Sequence, residues 1–117
     1  MGRGVKTVRR GELYWADPGP VVGHEQGGHR PVLVISHDMF NSASGTAIVL
    51  AVTSRPPLRR AGLSVRLASG DLPRPSWVKT WQVRTTSLLR LGRFIGRVDE
   101  KEVDAAADAL HEVVAHG

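Results

Sequence analysis

The chain has no cysteine, which excludes disulfide cross-links, thiolate zinc sites and a thiol nucleophile. Aromatic residues stop at 5%, so the core must be built mainly from aliphatic side chains. No apolar run approaches the roughly 20 residues of a membrane span. Nothing behind Met1 has the apolar centre of a signal peptide. These absences predict a soluble, cytoplasmic protein that does not engage a membrane. Lysine is also rare, with three Lys against thirteen Arg.

What is present fits one domain. A chain of 117 residues that is 41% apolar can fill a single modest core and no second one. The net charge of +5 is unevenly placed. Residues 1–97 carry 15 basic and 5 acidic side chains, or +10, while residues 98–117 carry 1 and 6, or −5. A basic body points to a polyanion or an acidic peptide as partner. Arg in preference to Lys favours bidentate contact with phosphate or carboxylate.

Residues 1–9 are basic and aperiodic and read as a flexible arm ahead of a domain spanning 10–117. Strands are expected at 12–15, 30–35, 46–53, 64–68, 77–85 and 94–98, from β-branched runs and period-two alternation. In 77–85, alternation puts Trp77, Trp81 and Val83 on one face and Thr80, Gln82 and Arg84 on the other. Trp77 and Trp81 are expected in the core or at a dimer contact. Segment 16–29, with two prolines and four glycines, reads as a long loop that is mobile until substrate orders it. Segment 37–44 has room for one helical turn, and SRPPLRRAG (54–62) reads as a basic turn. Residues 99–116 form the one long predicted helix. Asp99 and Glu102 make a capping box, and Val103, Ala107, Leu110 and Val114 form the core-facing stripe. The expected fold is mainly β: a small, partly open barrel with short helices and one C-terminal helix. Dimerisation would cover its strand edges.

Several short motifs recur in a specific order. Arg10-Gly11-Glu12 opens the first strand, and Asp17-x-x-Pro20 and Gly23-x-Glu25-Gln26 occupy the loop. Arg30-Pro31 begins a strand leading to Ser36-x-Asp38 and Asn41, and Val52-Thr53 closes the next one. Gln82-Val83-Arg84-Thr85 and Ile95-Gly96 follow. In this order and spacing, residues 9–114 resemble the MazF/PemK-type toxins, ribonucleases of toxin–antitoxin pairs. The resemblance implies an SH3-like barrel of the CcdB/PemK type, a homodimer, and metal-independent, sequence-specific cleavage of single-stranded RNA, messenger RNA in the first instance. Attack by the 2′-hydroxyl would leave a 2′,3′-cyclic phosphate and a 5′-hydroxyl. It also implies a MazE-type antitoxin with an acidic C-terminal peptide as partner. The catalytic pair of the family's motif matches Arg30 and Thr53.

The chemistry is also arguable from residue types. Internal attack needs a base for the 2′-hydroxyl, an acid for the leaving oxygen and positive charge at the phosphorane. A guanidinium fork on Arg30 suits two phosphate oxygens without a cofactor or metal. Thr53 can donate its hydroxyl to a phosphoryl oxygen. Arginine holds its proton too firmly to be a good base. Glu25 is therefore the expected base, and His29 is secondary because adjacent strand residues face opposite ways. Trp15, Gln26, His29, Gln82, Arg84 and Thr85 are the expected RNA contacts, with aromatic rings stacking on unpaired bases. The sequence departs from the family pattern at Trp81 and Pro75, which bears on the RNA sequence recognised rather than on the chemistry.

Other constellations fail. Gly23-x4-Gly28-His29-Arg30 lacks the Lys and Ser/Thr of a phosphate loop. His24, His29, His37 and Asp38 match no established metal spacing, and no nucleophile elbow is present. Two rival functions share the fold class: a non-enzymatic poison of DNA gyrase, and a non-catalytic RNA-binding barrel.

Overall fold

The computed structural model describes residues 7–16, 30–57 and 63–115. Six strands, β1 (Glu12–Ala16), β2 (Arg30–Val34), β3 (Thr46–Thr53), β4 (Ser64–Leu67), β5 (Ser76–Ser87) and β6 (Leu91–Arg97), form one antiparallel sheet. Their order is β4-β5-β3-β2-β1-β6, with β4 and β6 at the edges, so the barrel stays open. Helix α1 (Asp38–Ser44) joins β2 to β3, a 3₁₀ turn (Leu88–Arg90) joins β5 to β6, and α2 (Glu100–Ala115) follows β6. The architecture is the mainly β one expected. Ala16, placed in the loop by sequence, instead ends β1, and β5 and β6 are longer than their apolar runs.

Strand β3 reads as an unbroken apolar run because both its faces are covered. Ala47 and Val49 pack with Tyr14, Val32, Val34, Leu88 and Leu91 on one side. Leu50 and Val52 pack with Leu13, Leu33, Val78 and α2 on the other. The contact stripe of α2 is Val103, Ala106 and Leu110, whereas Val114 is 63% exposed. Ala106 replaces the expected Ala107 because the helix meets the sheet along an i, i+3, i+7 line.

The capping box also takes another form. The Glu102 carboxylate accepts hydrogen bonds from Ala68 N at 2.7 Å and from the Ser69 hydroxyl. Ser69 Oγ in turn accepts from Asp99 N at 2.9 Å. A serine from the β4–β5 connection thus relays the cap, and the helix start is tied to that loop.

Strand β5 departs from simple alternation. Leu50 pairs with Val83 but its neighbour Ala51 pairs with Lys79, so residues 80–82 bulge from the ladder. An odd-numbered insertion reverses the face of everything beyond it. Trp77, opposite Thr53, and Val83, opposite Leu50, therefore lie on opposite faces, not the shared one expected. Trp77 is half-buried beneath the Arg66 guanidinium, 5.8 Å from the ring centroid, and Trp81 is exposed in the bulge. Neither tryptophan belongs to the buried core.

The end of the sheet where β1 begins is closed by buried polar groups. Glu12, only 7% exposed, accepts from Tyr14 Oη at 2.6 Å, Arg9 N at 2.7 Å and Arg97 Nη2 at 3.1 Å. Burial first, and then the Glu12 carboxylate, push the Tyr14 phenol above its ordinary pKa of 10.0. Nearby, fully buried Asn41 donates to Val8 O at 3.0 Å and accepts from the Ser36 hydroxyl, which itself accepts from Ile48 N at 2.9 Å. Of the arm expected to be flexible, residues 7–9 are described, and Val8 is packed into the core. Gly11 turns the chain into β1 with φ +92°, and an added Cβ would lie 3.3 Å from Val103. Gly96 lies so close to the Gly70 carbonyl that no side chain fits between them.

Candidate active site

At the other end of the sheet β1 ends, β2 begins and β3 ends. Ala16 pairs with Arg30, and continuing the β2–β3 register from Val32↔Ala51 sets Arg30 across from Thr53. Adjacent strands lie about 4.8 Å apart, so two short strands fix a cation and a hydroxyl side by side. Neither position belongs to the sealed core: Arg30 is exposed and Thr53 half-exposed.

An open cleft of about 590 Å³ surrounds this strand end. Trp15, Arg30, Pro31 and Thr53 line it from the ends of β1, β2 and β3, and Arg55, Leu72 and Arg74 from the connections beyond β3 and β4. Among the described lining residues there is no carboxylate. The cleft combines cations, the hydroxyl side chains of Thr53, Ser54 and Ser76 and an aromatic ring, which suits a phosphate flanked by an unpaired base.

Local hydrogen bonding sets the state of the hydroxyl. Thr53 Oγ1 accepts from Arg55 N at 3.1 Å, a short side-chain-to-backbone turn just past the strand. With a lone pair so used, the hydroxyl proton is left for a donor role toward the cleft.

Of the residues expected from sequence, Arg30, Thr53 and Trp15 come together here. Gln82, Arg84 and Thr85 do not. They lie in and beyond the β5 bulge, with Arg84 opposite Val49 and Thr85 opposite Ile48, farther along the ladder. All three are exposed on the outer part of the sheet. Glu25, Gln26 and His29, with the loop expected to gate the site, lie outside the described residues. Sequence reasoning missed Arg55 and Arg74. Each stands in a segment read as turn or loop, next to proline, and nothing in linear spacing ties either to Arg30. Among the described residues, no three His, Asp or Glu side chains gather as a metal site, and no helix is long and apolar enough to cross a membrane.

The chain is similar to known proteins over almost its full length. Residues 9–114 match the family described as PemK-like, MazF-like toxins of type II toxin–antitoxin systems. The Endoribonuclease EndoA of Bacillus subtilis is 40% identical over 105 residues, covering 88% of this chain and 90% of that protein. MazF from Deinococcus radiodurans superposes with a TM-score of 0.78 at 25% identity, covering 95% of this chain and 99% of its own. A MazE–MazF complex from the same organism contains a chain of the same fold, with a TM-score of 0.76 at 20% identity and coverage of 97% and 100%. This chain therefore belongs to the PemK-like, MazF-like toxins of type II toxin–antitoxin systems.

Proposed function

We propose that the chain is a cytoplasmic, sequence-specific endoribonuclease that cuts single-stranded RNA, messenger RNA in the first instance, without a metal. The observation that carries this is the cleft itself: Arg30 and Thr53 set across from each other on neighbouring strands, in a wall whose described lining residues include no carboxylate. Arg30 holds two non-bridging oxygens of the scissile phosphate and stabilises the charge that builds up on the phosphorane. Thr53 donates its hydroxyl to a phosphoryl oxygen. Glu25 takes the proton of the attacking 2′-hydroxyl, whose oxygen bonds to phosphorus as the P–O5′ bond breaks. The products are a 2′,3′-cyclic phosphate and, once the leaving oxygen is protonated, a 5′-hydroxyl. Trp15 stacks on a base beside the cut, with Gln26 and His29 contacting RNA from the loop and Gln82, Arg84 and Thr85 from the outer sheet.

The working unit is a homodimer, which the exposed apolar side chains of Leu89 and Phe94 beside the β6 edge support. The partner is a MazE-type antitoxin whose acidic, extended C-terminal peptide occupies the same basic surface as RNA and orders on binding. Arg30 and Arg84 serve both ligands, so antitoxin and RNA compete, and antitoxin association slows as salt rises.

Incubation of purified protein with RNA and a chelator tests the reading. Cyclic phosphate ends are expected, whereas intact RNA, or cutting that only added metal restores, overturns it. A stable complex of toxin, antitoxin and uncut RNA at saturation would refute competition.

A further inference from the structure

We propose that Arg74 and Arg55 hold the phosphates flanking the scissile one, fixing the RNA strand in the cleft without taking part in the chemistry. This rests on the reading of the cleft as an RNA-cleaving site. Both residues line it beside Arg30, although they come from different connections of the sheet.

What separates them from other exposed arginines without an ion pair among the described residues, such as Arg90 and Arg93, is their place in the cleft wall. Arg10 and Arg97 are each matched to a carboxylate, at 3.3 Å from Asp104 and 3.1 Å from Glu12. Arg55 and Arg74 are exposed and make no ion pair among the described residues. A guanidinium that makes no ion pair among the described residues, in a cleft whose described lining has no carboxylate, keeps its charge available to an external anion.

Their backbones are also held in place. Arg74 stands between Pro73 and Pro75, whose rings fix φ, and the Ser76 hydroxyl donates to Arg74 O at 2.9 Å. Arg55 is tied through its N–H to Thr53 Oγ1 and followed by Pro56. Each cation thus springs from a braced main chain, which lowers the ordering cost of grasping a flexible strand. Arg55, next to Thr53, takes one neighbour of the scissile phosphate, and Arg74, from the β4–β5 connection, takes the other.

Phosphate contacts act on affinity and on its salt dependence, independent of base sequence. Each one lost from a single strand lowers the slope of log K against log salt by about 0.7. Between 1 M and about 0.15 M salt that slope amounts to about a fourfold loss of affinity. The probe is a mixed-sequence single-stranded DNA oligonucleotide, which lacks 2′-hydroxyls and so binds without being cut. Arg74→Ala and Arg55→Ala should each lower the slope by this amount, Arg74→Lys should keep it, and Arg93→Ala, outside the cleft, should leave it unchanged. In single-turnover cleavage of a long transcript at saturating protein, the rate of either alanine variant should stay within about threefold of the wild type. If Arg74→Ala does not fold by circular dichroism, Arg74→Gln carries the same test.

Unchanged slopes in variants of an active wild type overturn this assignment and leave the active-site reading standing. A rate loss at saturation matching that of Arg30→Ala also overturns it, because the residues would then belong to the chemistry. A wild-type protein that neither binds the oligonucleotide nor cuts the transcript overturns the active-site reading, and this inference with it.

Discussion

The two ends of the sheet treat charge in opposite ways. Where β1 begins, Glu12 is buried and surrounded by Tyr14, Arg9 N and Arg97, and Asn41 is fully satisfied by its neighbours. Where β2 begins, Arg30, Arg55 and Arg74 converge with no carboxylate among the described lining residues. Partnered polar groups lock a fold. Unpartnered cations at a concave surface cost little stability there because water solvates them, and they remain available to a ligand. One sheet thus separates stability and function by about the length of a five-residue strand, β2.

Substitutions at the two ends should therefore fail in different assays. The largest effect is expected at Arg30→Ala, which should lower cleavage by about 10²–10³ or more and leave the urea midpoint within error of wild type. A folded variant with full activity would remove the cleft from the mechanism. Arg30→Lys should also fail, since a point charge does not replace a fork. At the same end, Thr53→Ala should lose both the donor and the tie to Arg55 N, while Thr53→Ser keeps both and most of the rate. Equal rates for the two would deny the hydroxyl its role.

Asn41→Ala should show the reverse pattern, losing about 2–3 kcal/mol of unfolding free energy in urea melts while the folded fraction cuts RNA at the normal rate. It strands Val8 O and the Ser36 hydroxyl away from water. A slowed reaction in the folded protein would mean that the two ends are coupled. The smallest effect, about 1 kcal/mol, is expected for Tyr14→Phe, which removes one hydrogen bond to buried Glu12. The raised Tyr14 pKa adds a pH signature. The folded state holds this proton more tightly than the unfolded state, so the contribution is complete below about pH 10. It is lost as pH climbs beyond that toward the folded value. Wild-type stability should decline over that alkaline range, and Tyr14→Phe should lack this part of the decline.

How much of this was legible in the sequence differs between the ends as well. The six strands announced themselves because β-branched runs and turns bounded by glycine or proline are local signals. Arg30 and Thr53 were legible as positions in a motif, and the register then brings them side by side. Arg10-Gly11-Glu12, Asn41 and Ile95-Gly96 belonged to the same pattern, yet their contribution is architectural: a left-handed turn, a buried amide and a close backbone approach. The β5 bulge was not legible, since a period-two reading carries no mark of an odd insertion and so misassigned the faces of Trp77 and Val83. The cap of α2 was misread because Glu102 had two ways to satisfy its carboxylate. It took the nonlocal one, which only the folded chain brings near. Arg55 and Arg74 stayed hidden for the same reason, lying in separate connections that meet only in three dimensions.

That relayed cap makes the last helix part of the toxin's armament, although none of its residues lines the cleft. Ser69, held by Glu102 and Asp99 N, sits five positions before Arg74, in the stretch that Gly96 presses against at Gly70. A reading frame that ends just after β6 would leave Arg30 and Thr53 encoded while removing the buttress behind the connection that carries Arg74. Late nonsense mutations should therefore disarm such a toxin as surely as changes at Arg30 or Thr53.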